Sequence, residues 1–401
     1  MKKNITFIGL NYAPEDTAIG LYSTQWVEYL KDNGCNVSVI TAFPYYPQWE
    51  IAQEYKNKPR FLKEEKDGIN VFRYKLYVPK TPTFLKRTIH LIDFTLGSII
   101  NLYKIKKCDL VIAVVPFTSS VLLGHIQKRR FKSKLWMHIQ DFEFDAALET
   151  GLGNRTKWVF KILFRLEKWL FKKADIASTI SKSMLTKLSE KTLSQQFYLP
   201  NWIDENTINP FTHIQHPYLS SQKIKILYSG NIGDKQDWET FIKFCKALDV
   251  SKFEIIIVGN GSKKEWLVSR IKKFDNVLYY PPVPYSELSN LLCSADLHVL
   301  FQKPEVLDTV MPSKVLGMMA SEKPSLILGN ELSEVKTIFE KSQGGIYFSE
   351  YSQEVVEAIE ALFEDKEEVS EMGKRARTYI VEKFSKEKIL SGMLNQVNKM
   401  Y

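Results

Sequence analysis

Short apolar runs alternate with longer amphipathic segments along the first half of the chain. Asn4–Leu10 has the pattern of a buried strand, Tyr22–Asp32 that of a helix, and Asn36–Thr41 that of the next strand. Further strands are predicted over Leu110–Val115, Leu135–Ile139, Ile176–Thr179 and Gln196–Leu199. Because strands that alternate with helices pair in parallel, we expect one sheet with helices on both faces.

The same alternation starts again in the second half. A helix is predicted over Trp238–Ala247, and strands over Lys225–Tyr228, Glu254–Val258, Val277–Tyr280, Leu297–Phe301 and Ser325–Leu328. We interpret Gly259-Asn260-Gly261 as the turn that ends the second of these strands. The sequence therefore predicts an α/β protein of two doubly wound, Rossmann-like domains that face each other across a cleft, because parallel sheets bind ligands at the carboxyl ends of their strands.

The length of 401 residues supports two domains, since one hydrophobic core rarely extends so far. The segment around residue 210 is rich in Asn, Pro, His and Ser, which is the composition of a linker. We place an N-terminal domain at residues 1–203, the linker at 204–223, a C-terminal domain at 224–375 and a final helical segment at 376–401.

The composition excludes several classes of protein. A hydrophobic content of 44% and a charged content of 25% are not those of a disordered or low-complexity chain. The four cysteines are far apart, so we expect no disulfide framework or zinc knuckle, and a cytoplasmic location. The apolar run Ile5–Leu10 is too short for a signal peptide, and no stretch approaches the roughly 20 apolar residues of a membrane span.

Positive charge is concentrated in the first half. Residues 1–200 carry 31 Lys and Arg against 18 Asp and Glu, whereas residues 201–401 carry 24 against 28. A basic domain of this kind meets an anionic partner: nucleic acid, anionic lipid or a phosphorylated substrate. No zinc finger, RNP1-type sequence or other nucleic-acid motif occurs, so we expect no nucleic acid partner.

Two segments of the basic half combine apolar and cationic positions. Arg155–Lys173 predicts a helix with apolar and aromatic residues around one cationic stripe. The stripe consists of Lys157, Lys161, Arg165, Lys168 and Lys172. Phe84–Lys107 likewise has an apolar middle with Lys and Arg near both ends. Such a helix either packs its apolar side on the sheet or lies on an anionic membrane surface, and the occurrence of two makes the membrane more credible.

Two loops of the C-terminal half have the composition of anion sites. Gly230-Asn231-Ile232-Gly233 lies between a predicted strand and helix, where backbone N–H groups can approach a phosphate and Lys235 adds a charge. Met311-Pro312-Ser313-Lys314 offers a hydroxyl, N–H groups and a cation at another helix start. Each is also typical of an ordinary turn, but the two lie in one domain and could converge on one pyrophosphate.

Three loops follow strands of the N-terminal half. Ala13–Gly20 is turn-rich and precedes a helix, Pro44–Trp49 supplies aromatic rings suited to stacking on a sugar, and His138 lies near the end of a strand. By the strand period of two, His138 and Gln140 share a face, and Asp141 begins the loop. A lone His or Asp is more often structural, but a strand's carboxyl end favours a ligand contact. No Walker A, HExxH, GxSxG or EF-hand sequence occurs, and no ligand cluster suggests a metal.

Taken in order, these motifs resemble the retaining glycosyltransferases of family 4, of the GT-B fold, and among them the bacterial branch that includes the colanic-acid biosynthesis enzymes. The similarity is spread over nearly the whole chain. It rests on NYAPEDTAIGLYSTQWVEYL, GCNVSVITAFPYYPQW, WMHIQDFEFDAALETGLG, LPNWID, LYSGNIGDKQDWE, VMPSKVLGMMASEKP and GGIYFSE. The resemblance implies transfer, with retention and without a metal or other cofactor, from a UDP- or GDP-linked sugar to a polyprenyl-diphosphate-linked saccharide. Such an enzyme would serve capsule or exopolysaccharide biosynthesis at the inner face of the cell membrane.

The resemblance also implies roles for residues at positions that match family motifs. The donor diphosphate would be held by Gly230, Asn231, Lys235, Ser313 and Lys314. The donor sugar would meet Asp308, Thr309 and Met311, and the nucleobase Val283 and Pro284. His138 and Asp141 would be catalytic, and the acceptor side would include Glu15, Gly20, Tyr46 and Trp49. The final helix at 376–401 would cross back to the N-terminal domain.

Two family features are missing from the sequence. Where much of the family has a pair of glutamates that bind donor hydroxyls, this chain has Thr309 and Gly317, and Asn231 replaces a basic residue. Asp308 is adjacent to the first position and could replace that glutamate. A second function therefore stays open, that of a non-catalytic member that binds nucleotide or membrane as an assembly partner. A sugar-nucleotide epimerase is a third alternative, which the transferase-type motifs disfavour.

Overall fold

The computed structural model describes most of the chain. It covers residues 2–16, 18–81, 83–142, 144–145, 157–305 and 313–401. The chain forms two compact units, unit 1 from residues 1–200 and 390–401 and unit 2 from residues 201–389. Each unit contains one mainly parallel sheet with helices packed on it, which confirms the prediction of two Rossmann-like α/β domains.

Unit 1 is built on an eight-stranded sheet. Its strands are β1 (Asn4–Ile8), β2 (Asn36–Ala42), β3 (Phe61–Lys66), β4 (Ile69–Tyr74), β5 (Leu110–Val115), β6 (Lys134–Ile139), β7 (Ile176–Thr179) and β8 (Gln195–Tyr198). They follow the order β3-β4-β2-β1-β5-β6-β7-β8, with β3 antiparallel to β4 and the other neighbours parallel. Ile5 of β1 pairs with Val37 on one side and Leu110 on the other, so β1 lies at the buried centre.

Helices cover both faces of this sheet. They are α1 (Ala18–Asp32), α2 (Phe84–Tyr103), α3 (Ser119–Phe131), α4 (Lys157–Phe171) and α5 (Lys182–Lys191). Because parallel crossovers are right-handed almost without exception, the strand order places α1 on one face and α2, α3 and α4 on the other, where α2 and α4 both contact α3. On the α1 face, the Trp26 ring packs edge-on against Trp136 at 6.1 Å, and its indole N–H donates to the Met393 sulfur at 3.2 Å. Within the described residues, no helix combines the length and apolar character that crossing a membrane requires.

Unit 2 is built on a six-stranded parallel sheet. Its strands are β9 (Ile224–Asn231), β10 (Phe253–Asn260), β11 (Val277–Tyr280), β12 (Leu297–Phe301), β13 (Ser325–Leu328) and β14 (Gly345–Phe348). The order is β11-β10-β9-β12-β13-β14. Its helices are α6 (Trp238–Ala247), α7 (Lys264–Ile271), α8 (Leu288–Cys293), α9 (Ser313–Ala320), α10 (Glu334–Ser342), α11 (Gln353–Glu364), α12 (Lys366–Phe384) and α13 (Lys386–Lys399), the last of which runs on into unit 1.

The structure departs from the sequence prediction around residues 204–223 and 376–401. Ile208 and Leu219 are fully buried in the core of unit 2, so the segment predicted as a linker belongs to that unit. The final segment is two helices separated at Ser385, whose backbone is extended. The N–H of Ile203 donates to the Phe384 carbonyl at 2.9 Å, and the N–H of Lys386 donates to the Ile203 carbonyl at 2.8 Å. These bonds to a neighbouring segment replace helical hydrogen bonds at the break.

Candidate active site

The end of β9 forms the backbone of the predicted diphosphate loop. The strand continues to Asn231, further than predicted, and pairs Gly230 and Asn231 with Gly259 and Asn260 of β10. Gly259 and Asn260 are therefore strand residues, not the turn that the sequence suggested. Gly230 has a φ of +141°, which side-chain-bearing residues rarely adopt. Without a Cβ, its backbone is open to close approach by another group.

The side chain that approaches Gly230 is Lys314, the second residue of α9. Its Nζ donates to the Tyr228 hydroxyl oxygen at 3.0 Å and lies 4.7 Å from the centre of the Tyr228 ring. A Cβ on Gly230 would lie 3.2 Å from the same Nζ. The Tyr228 hydroxyl in turn donates to the backbone oxygen of Asn231 at 2.6 Å. The structure thus brings together Gly230 and Lys314, two of the residues predicted to hold a diphosphate.

The Lys314 ammonium is electrostatically unusual. Burial lowers its pKa from 10.5 to about 8, and it forms no ion pair with any residue in the described ranges. The face of the Tyr228 ring compensates part of the lost hydration by a cation–π interaction. A desolvated cation without a counter-charge is costly, so this geometry is suited to binding an anion beside Gly230.

The other predicted donor residues differ in what the structure shows. Lys235 is exposed, and its backbone oxygen accepts the N–H of Lys303 at 3.1 Å, which ties the β9–α6 loop to the end of β12. Asn231 has an exposed side chain, and Ser313 is the first residue of α9. Asp308, Thr309 and Met311 lie outside the described residues.

Two further predictions concern the surroundings of this loop. Gly317 is buried in α9, and a Cβ there would lie 3.1 Å from Cδ1 of Leu292. Any larger side chain at position 317 would therefore require Leu292 to shift. Val283 packs on the core of unit 2 while Pro284 is exposed, on the loop after β11. Because β11 and β9 belong to one parallel sheet, this loop and Gly230 both lie at the carboxyl ends of its strands.

In unit 1, Glu15 is a buried carboxylate that joins two loops. Its Oε1 accepts the backbone N–H groups of Tyr45 and Tyr46, both at 2.8 Å, and its Oε2 accepts the Asn11 amide at 2.8 Å. Burial raises the pKa of Glu15, although these hydrogen bonds act in the opposite direction. Gly20 packs against it so closely that a Cβ would lie 2.7 Å from the Glu15 backbone oxygen. Glu15 thus holds the loop after β1 against the loop after β2, and Gly20 leaves room for the Glu15 backbone.

The aromatic residues of the β2 loop form a partly exposed cluster. Tyr46 is 37% exposed, while Trp49 is half-buried with its ring 5.5 Å from that of His90. The Arg87 guanidinium lies 5.2 Å from the centre of the Trp49 ring. Arg87 therefore covers part of the indole that the sequence predicted for acceptor stacking, and Tyr46 remains open to solvent.

The two residues predicted to be catalytic lie in different environments. His138 is 1% exposed, with Nδ1 at 2.9 Å from the Ser178 hydroxyl and Nε2 at 3.0 Å from the Gln140 amide nitrogen. Burial lowers the pKa of His138 to about 3, so the ring is neutral. His138 is thus a core residue packed 5.1 Å from the Trp26 ring, which gives a direct catalytic role no support. Asp141, by contrast, is partly exposed just beyond the end of β6.

Comparison with known proteins assigns the chain to a family. A family model for glycosyl transferases group 1 matches residues 212–379. A protein of Escherichia coli (strain K12), named as the colanic acid biosynthesis glycosyl transferase WcaI, is 33% identical over 410 residues, which cover 98% of this chain and 99% of the relative. The chain belongs to the group 1 glycosyltransferases. The predicted glycosyltransferase class is confirmed, whereas membership of family 4 and retention stay predictions.

Solved structures share the fold of this glycosyltransferase at low identity. Sucrose-phosphate synthase from Thermosynechococcus elongatus superposes with a TM-score of 0.76 at 15% identity, over 100% of this chain and 99% of that one. HepE from Anabaena, in complex with UDP-glucose, superposes with a TM-score of 0.68 at 13% identity, over 99% of each chain. These likenesses confirm the predicted GT-B fold class.

Sequence reasoning missed two residues that organise this glycosyltransferase. Tyr228 supports Lys314, and the signal was available, since the strand period of two puts Tyr228 and Gly230 on one face. Arg73, 3% exposed, donates from its guanidinium to the carbonyls of Ala42 (3.2 Å) and Ala13 and so joins the end of β2 to the loop after β1. The feature of the sequence that could have identified Arg73 is an arginine within the mainly apolar strand β4. Among the described residues, no three His, Cys, Asp or Glu side chains are arranged to hold a metal.

Proposed function

We propose that this glycosyltransferase moves a sugar, with retention, from a UDP- or GDP-linked donor to a polyprenyl-diphosphate-linked saccharide. The reaction would belong to surface polysaccharide biosynthesis and take place, without a metal, at the inner face of the cell membrane. The colanic acid name of the relative WcaI and the UDP-glucose bound to HepE support the pathway and the donor class respectively.

The observation that carries the proposal is the position of Lys314. Its ammonium lies in a buried place against Tyr228 and beside Gly230, and burial lowers its pKa to about 8. A nucleoside diphosphate at this strand end would supply the counter-charge that the described residues do not. Since α9 begins with Ser313 next to Lys314, helix-terminal N–H groups add to the positive potential there.

In the reaction, the bond between the sugar and the diphosphate breaks, and negative charge develops on the leaving diphosphate. Lys314 and the exposed Lys235 would stabilise that charge more strongly in the transition state than in the bound donor, which is what accelerates the step. We assign Asp141, from the carboxyl end of β6, to the surroundings of the reacting sugar. Glu15 and Gly20 would act on the acceptor side only by holding its loops in place.

Proton uptake on nucleotide binding tests the assignment of Lys314. At pH 8, about half of the Lys314 side chains are neutral, and a bound diphosphate raises the pKa, so UDP or GDP binding should take up about half a proton. Calorimetric titration with each nucleotide, in buffers that differ in ionisation enthalpy, measures this uptake. Lys314→Arg is the control because arginine stays charged and should bind without the uptake. Equal uptake in both proteins, or no binding of either nucleotide, would contradict the assignment.

Turnover separates this proposal from a non-catalytic assembly partner, which the absence of glutamate at positions 309 and 317 keeps open. Purified protein should transfer or hydrolyse the sugar of the nucleotide sugar that it binds. Lys235→Ala should lower this turnover, and unchanged turnover would remove Lys235 from the site. A tight nucleotide complex without any turnover would favour the non-catalytic function.

A further inference from the structure

The helix α2 presents a long row of apolar side chains to solvent. Six of its residues are between 47% and 68% exposed and follow one another at spacings of four, three, four, four and three. They are Leu85, Ile89, Ile92, Leu96, Ile100 and Tyr103. At 1.5 Å per residue they form one stripe about 27 Å long, which we call the α2 stripe.

The α2 stripe does not serve the packing of α2 within unit 1. The opposite side of the helix does so, with the buried Phe94 ring 5.1 Å from Phe117 and the Thr95 hydroxyl 2.7 Å from the Ser119 hydroxyl of α3. An exposed apolar row of this length on a helix that is already anchored by its other face marks an interaction surface.

A second apolar stripe lies on α4, which flanks the other side of α3. Trp158, Ile162, Leu166 and Trp169 are 46% to 69% exposed, and the ring of Trp169 lies 6.4 Å from that of His125 in α3. Since α2 and α4 both belong to the helical layer on one face of the sheet, the two stripes face away from the sheet on the same side. We call them together with the cations around them the docking face.

The docking face is strongly cationic. At 100° per residue, a row of exposed cations lies directly beside the α4 stripe and forms no ion pair with other described residues. This row consists of Lys161, Arg165, Lys168 and Lys172. Lys104, Lys106 and Lys107 follow the end of α2. A concavity of about 430 Å³ beside Asp93 of α2 adds Lys58 and Lys75, while Arg60 in the same concavity pairs with Asp93 at 3.3 Å.

We propose that the docking face binds the surface of an anionic bilayer. The two apolar stripes would enter the boundary between headgroups and acyl chains, and the adjacent lysines and arginines would contact lipid phosphates. A second copy of the chain could also cover the stripes, but it would bring two cationic rows together, whereas a bilayer pairs them with anions. Docking would hold the enzyme at a lipid-linked acceptor; that purpose rests on the proposed function, but the binding itself does not.

Vesicle co-sedimentation of the purified full chain, without nucleotide, tests the apolar part. The protein should bind phosphatidylcholine vesicles that contain phosphatidylglycerol, more weakly at high salt and more weakly without phosphatidylglycerol. The double variant Leu96→Gln/Ile100→Gln should bind about tenfold more weakly or worse. Leu332→Gln, at a residue of unit 2 that is 83% exposed, is the matched control and should bind like wild type.

A second pair of variants tests the cationic part. Lys161→Gln/Lys168→Gln should weaken binding to phosphatidylglycerol vesicles about tenfold or more, whereas Lys243→Gln/Lys246→Gln, with the same charge change on α6, should not. Thermal unfolding verifies that all variants are folded. Absence of vesicle binding, or wild-type binding by both docking-face variants, would overturn the proposal. So would a dimer in size-exclusion chromatography that the α2 variant dissociates while vesicle binding is unchanged, because the occupant would then be a second copy.

Discussion

Replacing Lys314 by methionine should stabilise unit 2 while it abolishes nucleotide binding. Burial lowers the pKa of Lys314 from 10.5 to about 8, which corresponds to about 3 kcal/mol that the protonated side chain costs the folded state at pH 7. Methionine has a similar length and keeps the apolar contact with Tyr228. Because it gives up the cation–π interaction and the hydrogen bond to the Tyr228 hydroxyl, we expect a net gain of about 1–2 kcal/mol.

The gain should depend on pH in a defined direction. Below pH 8 Lys314 is protonated in both the folded and the unfolded chain, and the full cost is present. Between about pH 8 and pH 10.5 the unfolded chain binds more protons than the folded one, so the stability of the wild type rises with pH. The advantage of Lys314→Met should therefore be complete at pH 7 and decline as the pH passes from 8 to 10.5.

Thermal unfolding followed by circular dichroism measures the gain in stability and its dependence on pH. A unit of this size gains about 2–4 °C in its midpoint per kcal/mol, so the shift at pH 7 is well within reach of the method. Lys243→Met, at an exposed lysine of α6, is the matched control and should leave the midpoint unchanged. A Lys314→Met protein less stable than wild type at pH 7, or one with the same advantage at pH 7 and pH 10.5, would refute the reasoning.

Three further predictions concern stability in unit 1, each measured by denaturant unfolding. Gly20→Ala should lower the free energy of unfolding by about 1–3 kcal/mol, since its Cβ would lie 2.7 Å from the Glu15 carbonyl. Gly392→Ala, with no atom within 4 Å of the new Cβ, should raise it by up to about 1 kcal/mol. Glu15→Ala should cost about 2–4 kcal/mol because the N–H groups of Tyr45 and Tyr46 lose their acceptor. Since burial raises the pKa of Glu15, the folded chain keeps its proton longer, and wild type should lose stability relative to Glu15→Gln as the pH rises above 4.5.

Most strands could be located from the sequence because they are buried on both faces. Leu110–Val115, Ile176–Thr179 and Leu297–Phe301 are predicted to the residue, since such strands are short runs of mainly apolar or small residues. The β3–β4 hairpin escaped prediction because β3 is a half-exposed edge strand without such a run. Its signal was the Asp67-Gly68 pair, both with positive φ, which is the preferred sequence of a tight hairpin turn.

The sequence by itself determined the two α/β halves, the basic charge of the first, and the glycines and lysines at strand ends, because periodicity, turn residues and charge are local properties. Only the tertiary structure decided that Lys314 meets Tyr228, 86 residues earlier in the chain, and that α1 covers the strand face that carries His138. It likewise decided which apolar side of α2 is buried and which is left to solvent. Burial, pKa and charge pairing depend on contacts between segments far apart in sequence, which no local pattern contains.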